Sequence, residues 1–578
     1  MKKIIAVFSF CFIILNVSFA QNFTHADTLR GSNGPGRAWW NATKYDLHVT
    51  FNFKDSSISG YNVISYKELV KRHPDFFQID LQEPMIIDSV VLETGSQKYP
   101  LNRKRLSFTR DGNAWFVYLN TPPPLVAKHD INKIMEVKEN RGKEGRISES
   151  VAEISNLIVY YHGQPRKAKN APWDGGFVWR RDKSGNPWVA VACQGLGASI
   201  WYPCKDYQGD EPDSAEMHFT TPTGLVTVSN GRLRSVKNEG NGNTTYSWAV
   251  VSPINNYDIT FYIGKFVTFG EMYPGEDGPL TMDYWVLDSN LAKAKVHFKD
   301  APRMMKAFEY WFGPYPFYAD GYKLVDAPYL GMEHQSAIGY GNYYKMGYNG
   351  RDLSGSGWGL KWDFIIVHES AHEWFGNNIT SKDLADMWIH ESFANYAEAL
   401  FTEYYYGKKA GTDYVVGVRK NIQNDKPIIP AYGVNAEGSG DMYYKGGNMI
   451  HAIRQIINND EKFRNILRGL NETFYHQTVT SAQVEDYINR QSGINFSKVF
   501  YQYLHTTKVP NLEYKTGNGK LLYRWGNCIT GFNMPVKIYN DKGDLIFIHP
   551  TEKFQSVPKG VKEIKVDENF YVGVKEID

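Results

Sequence analysis

The chain has 578 residues, of which 42% are hydrophobic and 22% are charged. This composition is ordinary for a globular protein and excludes a disordered chain, collagen and a coiled coil, and at about 150 residues per domain the length predicts three or four domains. Lys plus Arg number 64 and Asp plus Glu number 62, so there is no global positive charge to bind nucleic acid or an anionic membrane.

The first 20 residues predict a signal peptide. Two lysines precede an almost unbroken apolar run at residues 4–17, and small residues at Ser18 and Ala20 fit cleavage before Gln21. The run is shorter than the roughly 20 apolar residues that a membrane helix needs, and no later stretch is apolar enough to span a bilayer. We therefore expect a soluble, exported mature chain, periplasmic or secreted, without a transmembrane segment.

Alternating apolar and polar residues dominate from about 44 to 266 and predict an all-β domain. Segments 45–51 and 257–261 are examples, and turn signals such as the Asn-Gly pair at 230–231 separate the runs. The charged segment 128–155 interrupts this pattern and predicts an insertion on the surface.

From about 300 to 506, apolar residues recur every three to four positions, which predicts a mainly helical region. Segments 362–375, 391–406 and 445–457 are predicted helices, and Gly407 is placed to end the second.

Alternation returns from residue 512 onward, at 535–539 and 544–548, and predicts a small C-terminal β domain. The order of β, mainly helical and β regions predicts a multidomain α+β protein. Its predicted parts are a signal peptide at 1–20, an N-terminal β domain at 21–266, a mainly helical domain at 267–508 and a C-terminal β domain at 509–578.

Three cysteines remain after the predicted cleavage, Cys193, Cys204 and Cys528. Because three is an odd number, at least one is a free thiol or pairs between chains. The sequence leaves open whether Cys193 and Cys204 form a disulfide.

Residues 368–372 read His-Glu-Ser-Ala-His inside the first predicted helix. Side chains four apart lie on one face of a helix, so His368 and His372 can reach one metal ion, while Glu369 reaches the metal's water. Glu391 begins the next predicted helix, eighteen intervening residues after His372. Two His and one Glu with one open position form a catalytic zinc set. The pattern therefore predicts one Zn²⁺ per chain.

Two histidines satisfied without a metal are the alternative interpretation. The apolar neighbours predict a buried helix, where ionisable side chains need partners, and this favours the metal. His390 is a competing ligand, but it would point about 100° away from Glu391 around the helix. Asp386 either orients a ligand imidazole or is an acid at a helix N-terminus.

These residues resemble the aminopeptidase N family of zinc metallopeptidases, in the gluzincin clan. The matching stretches are His-Glu-Ser-Ala-His-Glu-Trp-Phe-Gly-Asn at 368–377 and Met-Trp-Ile-His-Glu-Ser-Phe-Ala-Asn-Tyr at 387–396. The resemblance implies an N-terminal all-β domain, a thermolysin-like, mainly helical catalytic domain and a small C-terminal β-sandwich. We expect no counterpart in this sequence of the large helical C-terminal domain that many relatives carry.

Leu-Gly-Met-Glu-His at 330–334 resembles the family's Gly-Ala-Met-Glu-Asn. The resemblance implies that Gly331, Met332 and Glu333 bind substrate and that Glu333 holds its free amine. Ala-Cys-Gln-Gly at 192–195 is similar to the leukotriene hydrolase and aminopeptidase B branch, in which a Gln helps to bind the amine. This implies the same role for Gln194, with a plain buried glutamine as the alternative.

Tyr-Tyr-Lys-Gly at 443–446 is similar to the family's Tyr-x-Lys-Gly. The resemblance implies that Tyr443, rather than Tyr444, steadies the oxyanion, and that Glu369 is the general base. It predicts a zinc-dependent aminopeptidase whose partners are peptides with a free N-terminus, and no nucleic acid.

Three other hypotheses stay open. A thermolysin-type metalloendopeptidase would share the zinc set but would not need Glu333. A catalytically weak, zinc-containing peptide-binding protein would keep the metal without turnover. Hydrolysis of a lipid epoxide rests only on analogy with the leukotriene branch.

Overall fold

A computed structural model describes residues 23–96, 99–120, 153–517 and 519–578. The predicted signal peptide at 1–20 lies outside these residues, as do residues 128–152 of the predicted insertion. The described chain has the predicted α+β architecture, in which sheets come first, helices follow and strands return at the end. The domain boundaries given above stay predictions.

The first part of the described chain forms one ten-stranded and one four-stranded sheet, preceded by the short helix α1 (His25–Gly31). The ten-stranded sheet has the order β12-β13-β10-β1-β2-β7-β4-β5-β6-β3, and the four-stranded sheet has the order β11-β14-β9-β8. The strands are β1 (Trp40–Asn52), β2 (Ser57–Glu68), β3 (Phe76–Asp80), β4 (Ile86–Ser96), β5 (Tyr99–Asp111), β6 (Ala114–Tyr118), β7 (Glu153–Gly163), β8 (Gly176–Arg181), β9 (Pro187–Ala192), β10 (Ser214–Pro222), β11 (Val226–Ser229), β12 (Arg232–Asn238), β13 (Asn243–Val250) and β14 (Phe261–Gly264).

The alternation of apolar and polar residues in β1 corresponds to the buried and the half-buried face of the sheet. Tyr45, Leu47 and Val49 are buried, whereas the residues between them are only half-buried. The predicted strand at 257–261 is wrong except at Phe261, where β14 begins. Residues Asn256–Asp258 form a single 3₁₀ turn because the Asn255 side chain accepts a hydrogen bond from the Tyr257 backbone N–H.

A five-stranded sheet in the order β15-β16-β17-β19-β18 begins the middle region, and a parallel pair, β20 and β21, lies further along. These strands are β15 (Phe266–Gly275), β16 (Gly278–Leu287), β17 (Tyr322–Asp326), β18 (Gly331–Met332), β19 (Ile338–Tyr340), β20 (Ile379–Ser381) and β21 (Gln477–Val479). The helices are α2 (Leu291–His297), α3 (Asp300–Phe312), α4 (Phe364–Ala371), α5 (Trp388–Tyr406), α6 (Lys408–Gly417), α7 (Tyr444–Ile457), α8 (Asp460–Thr473), α9 (Ser481–Ser492) and α10 (Ser497–His505).

The three predicted helices are confirmed as α4, α5 and α7, with different ends. Helix α4 begins at Phe364 because Asp363 caps it, accepting hydrogen bonds from the backbone N–H groups of Ile365 and Ile366, and it ends at Ala371. Gly407 ends α5 as predicted, with a positive φ of 91°.

The C-terminal strands form a four-stranded sheet in the order β26-β23-β22-β27 and a hairpin of β24 and β25. Trp525 on β23 and Ile538 on β24 belong to the same buried cluster, so the two sheets share a core. The strands are β22 (Asn511–Gly517), β23 (Lys520–Gly526), β24 (Val536–Tyr539), β25 (Leu545–Ile548), β26 (Gln555–Ser556) and β27 (Gly573–Glu576).

Two hydrophobic clusters form the interior. One contains the N-terminal sheets, and the other joins the helices to the C-terminal strands. Tyr329 and Met332, on either side of the start of β18, belong to the N-terminal cluster, although β18 pairs within the middle sheet. Segment 329–332 therefore lies where the two cores meet. No helix in the described part of the chain has the length and apolar character of a membrane span.

Candidate metal centre and substrate site

Helices α4 and α5 bring the three predicted zinc ligands together. His368 lies on α4, and His372 is the C-cap residue of this helix, with helical backbone angles. Glu391 lies in the first turn of α5. His368 Nε2 is 3.6 Å from Glu391 Oε2, and His372 Nε2 is 3.4 Å from the same oxygen. All three side chains are buried.

These donor atoms fit a zinc ion. Atoms bound tetrahedrally at about 2.1 Å from one ion lie about 3.4 Å apart, close to the two distances found here. Glu391 Oε2 is buried and has no hydrogen-bond partner among the described residues. Burial raises the pKa of Glu391, but His372 and His368 outweigh burial and hold it well below its usual range. An ionised oxygen facing two imidazole nitrogens is suited to a cation.

The outer nitrogens of both imidazoles are held by acceptors. His368 Nδ1 lies 2.8 Å from Glu398 Oε1, and His372 Nδ1 lies 3.0 Å from the Phe375 carbonyl oxygen. Tyr414 donates a hydrogen bond of 2.6 Å to the other Glu398 oxygen. These contacts leave each Nε2 as the free ligand atom, which is the usual arrangement around a zinc-binding histidine.

Glu369 lies directly against Gly331 of β18. A β-carbon at Gly331 would be 2.5 Å from Glu369 Oε1, so only glycine allows the carboxylate to occupy this position. Burial raises the pKa of Glu369 above its usual value. The predicted general base is thus a buried carboxyl group on the same helix as the predicted ligands.

Glu333 forms a second buried carboxyl group beside the predicted ligands. Gln194 Nε2 donates a hydrogen bond to Glu333 Oε1, and Tyr257 donates one of 3.1 Å to the same oxygen. Burial raises the pKa of Glu333, whereas the nearby His372 lowers it. The structure thus brings Gln194 and Glu333 together, although they are 139 residues apart in sequence.

Tyr443 lies beside the predicted ligands, immediately before α7. Its ring lies 5.9 Å from the His368 ring, centroid to centroid, at an interplanar angle of 24°. Burial is the main cause that raises the pKa of Tyr443, and the nearby Glu391 carboxylate raises it further. For Tyr444, the carboxylate that raises the pKa in addition to burial is Glu398. The neighbouring charges distinguish the two tyrosines and favour Tyr443 as the one that faces the site.

Residues 297–503 match the family model described as the peptidase family M1 domain. This part of the chain is thus a peptidase family M1 domain. The M1 match contains all the residues discussed above except Gln194 and Tyr257, and it confirms the family resemblance seen in the motifs.

The named relatives of this chain are distant in sequence. A probable aminopeptidase 2 of Sulfurisphaera tokodaii is 20% identical over 91% of this chain and 62% of its own length. The leukotriene A-4 hydrolase of Xenopus laevis is 22% identical over 57% of this chain and 54% of its own length. The chain thus spans less than two thirds of these curated relatives.

A solved M1 zinc metallopeptidase from Deinococcus radiodurans has the same fold, with a TM-score of 0.64. It is 19% identical, and the match covers 82% of this chain and 96% of the solved one. A mutant of that enzyme has been crystallised with a Tyr-Ser-Ala substrate.

Two alternatives left open for the M1 motifs are decided by hydrogen bonds. His390 Nε2 accepts a hydrogen bond of 2.8 Å from the Ser381 backbone N–H, so it is not directed at the ligand cluster. Asp386 accepts hydrogen bonds from Tyr432 and Ser481 and does not orient a ligand imidazole.

Sequence reasoning missed Glu398 and Tyr257 at this M1 site. Glu398 follows Glu391 by seven residues on α5, a spacing of two helical turns that could have predicted a shared face. Tyr257 lies in the 3₁₀ turn that was predicted as a strand, and nothing local indicated its contact with Glu333.

Met332 has its side chain packed in the N-terminal core, with 5% of its surface exposed.

Proposed function

We propose that this chain is a zinc-dependent aminopeptidase that hydrolyses the first peptide bond of substrates with a free N-terminus. The observation that carries the proposal is the buried Glu333 carboxylate, which lies beside the proposed ligands His368, His372 and Glu391. Glu369 lies next to the same ligands. The aminopeptidase names of the M1 relatives support the same conclusion.

His368, His372 and Glu391 would hold the zinc ion. When bound, zinc supplies Lewis-acid chemistry, which lowers the pKa of water and polarises a carbonyl oxygen. Glu398 and the Phe375 carbonyl would keep both imidazoles in the orientation that binding requires.

Glu369 would act as general base and then as general acid. Its carboxylate takes a proton from the attacking water and returns it to the leaving amine. Tyr443 would donate its hydroxyl hydrogen to the oxygen that becomes negative, and one such donor is typically worth about 3–4 kcal/mol in the transition state.

Glu333 would distinguish an aminopeptidase from an endopeptidase. Its carboxylate can accept charge-assisted hydrogen bonds from an α-ammonium group, and Gln194 and Tyr257 hold it in place. An acetylated N-terminus would leave this carboxylate buried without a cation, which typically costs several kcal/mol. Free and blocked substrates should therefore react at very different rates.

The test compares aminoacyl-coumarin amides and Tyr-Ser-Ala, each free and N-acetylated. We expect turnover of the free-amine compounds alone, and a fall in kcat/KM of about 30-fold or more for Glu333→Gln. Glu369→Gln is the control for contaminating peptidases, because it should abolish turnover. Equal cleavage of blocked substrates would favour the thermolysin-type endopeptidase, and no cleavage by a zinc-loaded sample would favour the peptide-binding protein.

We also propose export of the chain by the segment 1–20. The proposal rests on the apolar run and on the small residues before Gln21. N-terminal sequencing of the chain from its native host tests it, since a mature chain that still began at Met1 would contradict cleavage.

A further inference from the structure

Three side chains with metal-binding atoms lie together in the N-terminal β region, outside the M1 match. Asp46 and His48 are two residues apart on β1, so they point to the same face of the sheet. His48 pairs with His218 on β10, the parallel neighbour of β1. Leu47, between the first two, is buried on the opposite face. We call Asp46, His48 and His218 the Asp46 cluster.

The imidazole nitrogens of the Asp46 cluster converge on one carboxylate oxygen. Asp46 Oδ1 lies 2.9 Å from His48 Nε2 and 3.2 Å from His218 Nε2. The two rings stack with centroids 4.2 Å apart. Oδ1 is buried, and within the described ranges it has no hydrogen-bond partner of normal geometry. Two nitrogens and an unsatisfied oxygen at these separations resemble ligands around an ion.

Neighbouring side chains fix both rings in this orientation. His218 Nδ1 is 2.8 Å from Ser247 Oγ, and the His48 ring stacks on Tyr61 at 4.3 Å. The Asp46 cluster is therefore preorganised before any ion arrives.

We propose that Asp46, His48 and His218 bind a divalent transition-metal ion at a second site, separate from the catalytic centre. Two imidazoles and one carboxylate suit Zn²⁺, Co²⁺, Ni²⁺ or Cu²⁺, whereas Mg²⁺ and Ca²⁺ prefer oxygen ligands. The three side chains are 22–33% exposed, so water can complete the coordination. The ion would tie β1 to β10.

The test measures metal content. Wild type and variants, loaded with zinc and dialysed against micromolar free Zn²⁺, are analysed for ions per chain. We expect His218→Ala and Asp46→Asn each to hold one ion fewer than wild type. Their circular-dichroism spectra and peptidase turnover should match those of wild type, because neither residue belongs to the catalytic site.

His162→Ala is the matched control. His162 lies on β7 of the same sheet, and its Nδ1 is 2.8 Å from Asp88 Oδ1, so the two form a His–Asp pair, which no second imidazole from the described residues joins as a metal-binding group. We expect this variant to keep the wild-type metal content. His372→Ala should lose the catalytic ion and keep the ion of the Asp46 cluster, which Co²⁺ substitution would reveal as a visible absorption band. Equal metal content in wild type, His218→Ala and Asp46→Asn would overturn the proposal.

Discussion

Gly331 lies so close to Glu369 that a larger side chain at position 331 would clash with the Glu369 carboxyl group. A β-carbon there would lie 2.5 Å from Glu369 Oε1 and 3.0 Å from the carboxyl carbon. The family that the sequence resembles usually has alanine at this position. In this chain, the position of the Glu369 carboxylate, the proposed base, therefore depends on the absence of a side chain at position 331.

Gly331→Ala should lower kcat by an order of magnitude or two, because displacing a reacting group by about 1 Å can reduce the rate about 100-fold. Zinc content should stay at the wild-type value, since the three atoms nearest to that β-carbon all belong to Glu369 and none to a proposed ligand. Turnover of a free aminoacyl-coumarin amide and metal analysis of the same sample measure both. A wild-type kcat would show that Glu369 can move without consequence.

At this scale the sequence predicted the ligand set but not its supports. The spacing of His368 and His372 is a property of one helix, so it can be recognised locally. Glu398 contacts His368, and Tyr257 contacts Glu333. Only folding brings the members of each pair together. The spacing of Glu398 from Glu391 indicates at most a shared helix face, and nothing near Tyr257 in the sequence indicates its contact with Glu333.

Helices α5 and α7 approach each other closely at a glycine. A β-carbon at Gly446 would lie 2.8 Å from the Ser392 Cβ atom on α5, and closer still to its hydroxyl oxygen. Ser392 donates a hydrogen bond of 2.6 Å to the Met442 carbonyl oxygen. Because Tyr443 lies between Met442 and α7, this helix contact determines where its hydroxyl group can reach.

Gly446→Ala should destabilise the protein by about 1–3 kcal/mol through overpacking, although alanine favours a helix by up to about 1 kcal/mol over glycine. It should also lower kcat, because α7 must shift and Tyr443 shifts with it. Thermal unfolding and turnover of the same sample report the two effects. Gly440→Ala is the control, since a β-carbon there meets open space; a Gly446→Ala variant as stable and active as this control would contradict the packing argument.

The elements were predicted better in their centres than at their ends. The apolar period of 362–375 indicated a helix, but α4 stops at Ala371. Its start is set by the Asp363 cap, whose hydrogen bonds depend on local geometry rather than on hydrophobic period. The strand predicted at 257–261 failed for the same reason, because the Asn255 side chain holds a turn there.

Lys323 connects the M1 region to the N-terminal β region. It lies on β17 with 3% of its surface exposed, and its Nζ donates a hydrogen bond to the Gly231 carbonyl oxygen. The same Nζ lies 5.7 Å from the centre of the Trp248 ring. Burial lowers the pKa of Lys323 to about 7, although Asp283 and Asp320 act in the opposite direction.

This pKa predicts that stability depends on pH. Between about pH 7 and pH 10.5 the unfolded chain binds more protons at Lys323 than the folded chain does, so this residue makes stability rise with pH. The slope is at most about 1.4 kcal/mol per pH unit. Lys323→Met removes it, and the stability of wild type relative to this variant should increase as the pH rises.

Urea unfolding of wild type and Lys323→Met at pH 7, 8 and 9 measures the difference. Lys293→Met, at an exposed position on α2, is the matched control and should keep the pH dependence of wild type. A constant difference between wild type and Lys323→Met over this range would show that Lys323 stays charged in the folded chain.

The sequence by itself determined the order of β and helical regions, and it predicted the proposed zinc ligands and the proposed base. Each of these depends on residues that are close along the chain or on one short motif. Only the tertiary structure brought Gln194 to Glu333, placed Glu398 behind His368 and assembled the Asp46 cluster. These contacts depend on strand register and helix packing between distant segments, which are set by burial across the whole molecule.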